Sequence, residues 1–582
     1  MKVALIGAEL EENLGLRYMA SALEAAGHEA LILPFNEEAD LSRVVRAVQT
    51  ERPDIAGLSM VFTGRAREFC RLAQALRAGG FAGHLTAGGH FAALNARQLL
   101  ADFPAFDSIA LGEGEELICA LAEHLADLSP VPGFCYRTAT GDIALNPGKG
   151  NPENLDALPF PRRTSFHEYF GQPIASILSS RGCWRECAFC SIDAWYRSGG
   201  GRKFRIRSIE NIVAEMSSLY HEHGIRIFNF QDDNFFLPDP AQALARFQAL
   251  RAGLRAAGVE KIAIAVKARP DSINRDALEV LDDLGIFRVF LGVENASQRG
   301  LDNLNRKNTV AQIENALRIL NDYDLHVAYN LLMFEPDTNM EDIRINLRFM
   351  ERHVDNPFNF CRAEAYAYTG LEKKLRDDGI LAGDYFGFDY RIKDARVECF
   401  HKLANYAFFD RNFSDYGLHY FNMEVDFSYL LLRRFFPEKL SEELRAEVRC
   451  FIKQTNIDTY RHLCRIYDLA QAIDPEDRRA VNEAMRSLRQ SVDEHGIALR
   501  AQGERILARL QAAHDGQAAP LPKPAEYGEQ SLAALLDGLL IRSGEEQDES
   551  FDFATDGAFN FFGALKRPIP YDQFKNRLDN NR

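Results

Sequence analysis

The run Ser179-Ser180-Arg181-Gly182-Cys183-Trp184-Arg185-Glu186-Cys187-Ala188-Phe189-Cys190 decides how this chain is read. Its three cysteines stand at spacings of four and three, directly after the apolar run Ile174 to Leu178, which has the pattern of a strand. A loop of that shape gathers three thiolates around one corner of an iron–sulfur cluster. A [4Fe–4S] cluster ordinarily takes four cysteines, so a triplet with no fourth nearby leaves one iron open to another ligand. The alternative is a structural zinc site, which wants four nitrogen or sulfur ligands; the next candidate, His221, lies well downstream.

Outward from this loop, strand–helix alternation runs from Ile174 to about Tyr368. Strands are expected at Ile174–Leu178, Arg226–Phe230, Lys261–Val266, Arg288–Gly292, His326–Met333 and Phe358–Tyr366. Six such units predict a partial (β/α)6 TIM-like barrel, where function sits on loops at the carboxyl ends of the strands. Polar groups follow those ends: Gln231-Asp232-Asp233-Asn234, Lys267-Ala268-Arg269, Glu294-Asn295-Ala296-Ser297 and Glu335-Pro336-Asp337-Thr338.

Upstream, residues 1 to about 127 alternate short apolar runs (Val3–Gly7, Ala30–Pro34, Ile55–Val61, His84–Gly88, Ser108–Gly112) with helical spacing. That pattern makes a parallel α/β sheet, flavodoxin-like (Rossmann-type) in order, with ligands bound outside the carboxyl ends of its strands. The ends carry Asn13-Leu14-Gly15, then Ser59, Val61 and Thr63, then Gly88-Gly89-His90, then Gly112-Glu113-Gly114. Glycines at two neighbouring ends let the backbone pass close to a large ligand. A hairpin (Phe134–Tyr136, Ile143–Leu145) and the Pro-rich run Asn154 to Arg162 read as a connector.

A chain of 582 residues suggests about three or four domains. The formal net charge of −16 argues against a nucleic-acid partner, which relies on Lys and Arg to neutralise phosphates; a local basic patch remains at Arg197, Arg202, Lys203, Arg205 and Arg207. No apolar run reaches the length of a membrane span. The start, Met1 to Gly7, reads as a first strand rather than a signal peptide. Outside the triplet the cysteines are scattered, as in a protein of a reducing, cytoplasmic compartment.

Taken together, the Cys-x3-Cys-x2-Cys spacing of Cys183, Cys187 and Cys190 and the Gly-rich strand ends before it resemble the cobalamin-dependent branch of the radical S-adenosylmethionine enzyme family. The resemblance covers roughly residues 1 to 370. It implies a [4Fe–4S] cluster on Cys183, Cys187 and Cys190, the catalytic triplet, with S-adenosylmethionine on the open iron. Phe189 would flank the adenine. Gln231-Asp232-Asp233 would stand in for the Gly-Gly-Glu element that binds the methionyl amine. Arg269, Glu294, Ser297 and Asn330 would complete that cofactor's site. Cobalamin would lie against Asn13, Leu14, Gly15, Ser59, Val61, Thr63, Gly88, Gly89, His90, Gly112, Glu113 and Gly114.

This chain departs from better-known cobalamin binders in having no Asp-x-His-x-x-Gly motif, which leaves the lower face of cobalt unassigned. The family implies one-electron cleavage of S-adenosylmethionine to a 5′-deoxyadenosyl radical. Cobalamin then carries a methyl group from a second S-adenosylmethionine to a substrate radical. An electron donor of the flavodoxin or ferredoxin type, a small-molecule or peptide substrate and a monomeric enzyme are expected.

Each of these residues also has a plainer reading. Asp232 or Asp233 would N-cap a helix before Pro238, and Glu294 would cap the helix after it. His90 would cap a helix rather than ligate cobalt, Arg269 would pair with Asp271 alone, and Cys361 would be a buried apolar thiol. Tyr366 and Tyr368 would line the pocket or pack in the core.

The expected division is a cobalamin-binding domain at 1–130, hairpin and linker at 131–170, barrel at 171–370, a helical substrate or lid domain at 371–515, and a linker and tail at 516–582. The aromatics Phe400, Tyr406, Phe408, Phe409, Phe413, Tyr416, Tyr420, Phe421, Phe427 and Tyr429 read as helix core or as a lid. The expected reaction is methylation of a carbon in a natural-product, peptide or lipid precursor. The alternatives are rearrangement, cyclisation or ring contraction, polar methyl transfer to an aromatic ring, and, from another class, a non-catalytic cobalamin or redox sensor.

Overall fold

The computed structural model describes residues 1–10, 12–413 and 417–516. The side chain of Phe413, Tyr416 and residues 517–582, with the expectations placed on them, lie outside the described residues. The first sheet contains β1 (Lys2–Gly7), β2 (Glu29–Pro34), β3 (Ile55–Ser59), β4 (His84–Gly88), β5 (Ser108–Ala110), β6 (Phe134–Arg137) and β7 (Ile143–Asn146). Their spatial order is β2-β1-β3-β4-β5-β6-β7, with the first five strands parallel. Val3 to Ile6 are buried on both faces, as a central strand covered by helices requires. The hairpin β6–β7, expected in the connector, instead extends this sheet: Ser108 of β5 faces Tyr136 of β6 in antiparallel register. It covers an edge that would otherwise expose unpaired backbone.

The second sheet holds β8 (His167–Tyr169), β9 (Gln172–Ile177), β12 (Ile227–Phe230), β13 (Ala263–Ala268), β14 (Ile286–Glu294), β15 (His326–Phe334) and β16 (Phe358–Arg362). β10 (Ser180–Arg181) and β11 (Arg205–Ile206) form a separate antiparallel clip around the cysteine loop. β9 and β12 through β16 run parallel as an open six-stranded barrel, and β8 closes its free edge antiparallel to β9. All nine residues of β15 are buried. The sixth strand stops at Arg362 rather than Tyr366, so Glu364 and Tyr366 turn into the barrel mouth.

Buried ion pairs lock the two sheets together. Arg163 reaches Glu12 at 2.9 Å on one side and Glu215 at 2.9 Å on the other, with every partner's side chain no more than 8% exposed. Arg181 pairs with Glu113 at 3.1 Å and Glu115 at 2.6 Å, and Arg205 also bonds Glu113. Removing one partner of a buried pair strands the other charge, so Arg163→Leu should cost about 3–5 kcal/mol. Denaturant unfolding checks this; a loss under about 1 kcal/mol would mean that Glu12 and Glu215 are not held by this arginine.

After the barrel, a hairpin (Leu381–Asp384 and Gly387–Tyr390) reaches back to the first sheet's helices. Phe386 at its tip sits 5.5 Å from the Phe91 ring, and the Tyr385 hydroxyl donates to Asp102 at 2.9 Å. Among the described residues the α-helices Ala395–Phe408, Leu418–Phe435, Glu442–Ala472 and Arg478–Asp515 follow. Phe400, Phe408, Phe427 and Tyr429 are buried core between them and the barrel. Phe409 and Tyr420 instead line the barrel cavity. Among the described residues no helix is long and apolar enough to cross a membrane.

Candidate functional site

A cavity of about 520 Å³ occupies the barrel mouth, and Cys183, Cys187 and Cys190 all line it. The loop holding them is suspended by its backbone: Ala188 N–H donates to Leu304 O at 2.9 Å, and Leu371 N–H donates to Ala188 O at 2.7 Å. Gly182 opens the loop at φ +80°, where an added Cβ would stand 1.8 Å from the Lys203 carbonyl oxygen. Two guanidiniums point at one sulfur. Arg306 Nη1 lies 3.3 Å and Arg269 Nη1 3.7 Å from Cys187 Sγ. Burial pushes the Cys183 and Cys190 thiols up, so these sulfurs ionise readily only when a metal takes the proton's place.

Beside the tripod stand Phe189, Asp233, Lys267, Arg269, Glu294 and Asn330. Glu294 adopts φ +64° where the β14–β15 register shifts, which turns its carboxylate to within 3.7 Å of Arg306. Burial raises its pKa, while Arg306 and Arg269 oppose that. Asn330 is 3% exposed and its side-chain N–H₂ has no partner, a buried donor facing a ligand-sized space. Such a donor is costly unless something accepts from it.

A second cleft opens at the carboxyl ends of the first sheet. Its mouth includes Asn13, Gly15, Ser59, Val61, Gly88, Gly89, His90, Gly112, Glu113 and Gly114. Its throat runs down to Leu5, Ile118, Leu121 and Phe134. Gly89 has φ +95°, and a Cβ there would come within 3.0 Å of the Met60 backbone. His90 is the first residue of a short helix whose cap is Gly89. Its ring packs 4.6 Å from Trp195, and burial pulls its pKa down to about 4. Asp233 and Ile192 line both this cleft and the barrel cavity, so the two spaces meet there.

The outer half of the barrel cavity is walled by Phe290, Phe334, Phe360, Phe409, Tyr420 and Met423. Within it the Tyr366 hydroxyl donates to Glu364, and burial raises Glu364 from 4.5 to about 7. The folded chain therefore binds this proton more tightly than the unfolded one. That stabilisation is full below pH 4.5 and is lost as pH rises to about 7. Glu364→Gln should flatten the fall of stability over that window, by about 1.4 kcal/mol for each tenfold difference in proton affinity. Denaturant midpoints of both proteins across a pH series check it; parallel curves would refute it.

Several expected site residues lie elsewhere. Asp232 is fully buried and accepts from Ser179 N at 3.0 Å, Ser179 Oγ at 2.6 Å and Ser180 Oγ at 2.5 Å. It braces the strand end and lines neither cavity, leaving Asp233 as the carboxylate in the space. Gln231 lines the second cleft rather than the barrel cavity. Ser297 N-caps the helix Gln298–Asn303 and donates to Asp342 at 2.6 Å. Leu14 begins the helix that Asn13 caps, Thr63 begins a short turn, and neither lines the cleft.

The plainer readings also shift. The helix cap after Pro238 is Asp239, not Asp232 or Asp233, and Ser297, not Glu294, caps the helix after β14. Arg269 does pair with Asp271, at 2.9 Å, yet faces Cys187 as well. Cys361 lines the cavity, whereas Tyr368 is 67% exposed. Arg306 was missed. It lies 119 residues from Cys187, in a segment with no motif.

Comparisons with known proteins agree with this geometry. The profile of the radical SAM superfamily matches residues 177–350, and that of the B12 binding domain matches residues 6–122. An uncharacterized methyltransferase of Pyrococcus horikoshii is 24% identical over 368 residues, spanning 62% of this chain and 77% of that protein. The hopanoid C-3 methylase of Methylococcus capsulatus is 29% identical over 350 residues, spanning 57% and 63%. An anaerobic magnesium-protoporphyrin IX monomethyl ester cyclase of Rubrivivax gelatinosus is 26% identical over 393 residues, spanning 64% and 68%. Among solved structures, the cobalamin-dependent S-adenosylmethionine radical enzyme OxsB, with aqua-cobalamin and S-adenosylmethionine bound, superposes with a TM-score of 0.63 at 16% identity. That match covers 94% of this chain and 82% of OxsB, and it is a likeness of fold.

The matched domains imply a [4Fe–4S] cluster, S-adenosylmethionine and cobalamin, and the residues present fit them. Three thiols beside two guanidiniums suit an anionic cluster with an open iron. The orphaned Asn330 donor, the Asp233 and Glu294 carboxylates and the Lys267 and Arg269 cations in the same lining suit a zwitterionic nucleoside. The glycine-edged cleft suits a broad planar ring.

Proposed function

Because the chain belongs to the cobalamin-dependent radical S-adenosylmethionine enzymes, we propose that it methylates a carbon centre of a natural-product, peptide or lipid precursor. The observation that supports this reading is the junction of the two cavities at Asp233 and Ile192, through which the glycine-edged cleft opens onto the barrel cavity. When bound, the cluster and S-adenosylmethionine supply a 5′-deoxyadenosyl radical on reduction, and cobalamin supplies a transferable methyl group.

The chain's own part is binding, orientation and exclusion of water. Cys183, Cys187 and Cys190 hold the cluster, and Arg306 and Arg269 offset its negative charge. Asp233 receives the methionyl ammonium, with Lys267 nearby to limit the cost of burying that carboxylate. Glu294 and Asn330 orient the nucleoside, and Phe189 packs on its adenine. Gly88, Gly89, Gly112 and Gly114 admit the corrin edge. The cavity's aromatic wall takes a substrate with an apolar or aromatic body, and its polar lining, which includes Glu364, Tyr366, His401, Arg362, Arg391 and Lys402, takes that substrate's polar groups.

The cyclase among the relatives supports a second reading, rearrangement or cyclisation at the same site. Products separate the readings. Anaerobically reconstituted protein, given S-adenosylmethionine, a flavodoxin-type reductant and extracted precursors, should form S-adenosylhomocysteine together with 5′-deoxyadenosine. 5′-Deoxyadenosine alone would overturn methyl transfer in favour of rearrangement. S-adenosylhomocysteine alone would mean polar transfer to an aromatic ring, with Glu364 placed to take the proton.

A further inference from the structure

Far along the carboxyl-terminal helices, three ligand-type side chains converge on one point. Asp458 and His462 lie one turn apart on the helix Glu442–Ala472, and His495 comes from the helix Arg478–Asp515. His495 Nδ1 stands 2.7 Å from Asp458 Oδ1 and 3.3 Å from His462 Nε2, and the latter two atoms are 3.7 Å apart. Zinc binds such nitrogens and oxygens at about 2.0–2.2 Å, so atoms sharing one ion must lie within roughly 4 Å of one another. All three separations meet that limit.

The surroundings suit a bound ion. The other carboxylate oxygen of Asp458 accepts from Arg411, which also donates to Thr459 Oγ1 at 2.9 Å. This fixes the carboxylate with Oδ1 turned toward the two histidines, the arrangement by which outer partners orient a metal's ligands. His462 is 7% exposed and His495 56% exposed, so the point is anchored on one side and open to solvent on the other.

We propose that Asp458, His462 and His495 bind one divalent transition-metal ion of the zinc type, with a fourth position left to water. The ion clasps the two longest helices together. Through Asp458 and Arg411 it also steadies the turn Phe409–Phe413, whose first residue lines the barrel cavity. The site is separate from the cysteine tripod and does not depend on which reaction that cavity performs.

The test uses the full chain with its iron–sulfur cluster in place, so that the triplet cysteines are occupied and cannot take zinc. The protein is equilibrated with Zn²⁺ against a chromogenic chelator, desalted and analysed for zinc, beside His495→Ala and His462→Gln. Wild type should retain one zinc more per chain than either variant and bind at least tenfold more tightly, and its Tm alone should rise with Zn²⁺. His495→Ala changes a largely exposed side chain, so it reports on the ion even if His462→Gln fails to fold. Equal zinc content and equal Tm response in wild type and His495→Ala would overturn the proposal.

Discussion

Cys183→Ala is expected to leave a folded protein that has lost its iron, its sulfide and its turnover. With one leg of the tripod gone, two thiols cannot hold a cluster that already lacks a fourth cysteine. Activity should fall by a factor on the order of 10⁴ or more, since removing one member of a catalytic unit disables the whole. Cobalamin binding should persist, because the cleft at the first sheet is lined by other residues. The informative control is Cys361→Ala. Cys361 lines the same cavity but is not in the triplet, and its variant should keep full iron. Anaerobic reconstitution with iron and sulfide analysis of both variants decides it. Full iron in Cys183→Ala, or lost iron in Cys361→Ala, would mean that the cluster is held otherwise.

Gly182→Ala should do nearly as much damage without touching a cysteine. At φ +80° any L side chain is strained, and here the new methyl would meet the Lys203 carbonyl oxygen at 1.8 Å. Lys203 lies two residues before β11, whose Arg205 pairs with Arg181 next to Gly182, so its carbonyl cannot withdraw far without pulling on the clip. The local cost should be on the order of 4 kcal/mol, taken up by the cysteine loop pulling out of register. Cluster loading should fall to a small fraction of wild type while the far-ultraviolet circular dichroism is kept. Gly224→Ala is the matched comparison. It too has positive φ, 69°, but meets nothing within 4 Å, and it should load normally. Normal loading of Gly182→Ala would show that the loop's path is not set by this contact.

The parts of the site that were legible in the sequence are those carried by local pattern. The cysteine spacing, the apolar runs of β1 and β15 and the glycines at the ends of β4 and β5 are each set by neighbours within a few residues. The readings that failed needed distant partners. Asp232 and Asp233 are adjacent, and only the fold tells them apart: both lie past the end of β12 at Phe230, and the chain bends at Asp233, which sends the two carboxylates different ways. One therefore meets Ser179 and Ser180, and the other meets the cavity. Ser297 looked like part of a binding element and is a helix cap. The apolar run predicts a strand through Glu364 and Tyr366, but the strand stops at Arg362 and the chain swings both residues inward.

By itself, the order of residues determined two parallel α/β units, a three-thiol loop and a glycine-edged cleft, because hydrophobic period and ligand spacing act over short stretches of chain. The tertiary structure alone decided which carboxylate faces the cofactor space, that Arg306 crosses 119 residues to reach Cys187, and that two helices bring His462 and His495 to one point. Electrostatics and metal ligation depend on distance in space, and the chain sets that distance only when it closes on itself.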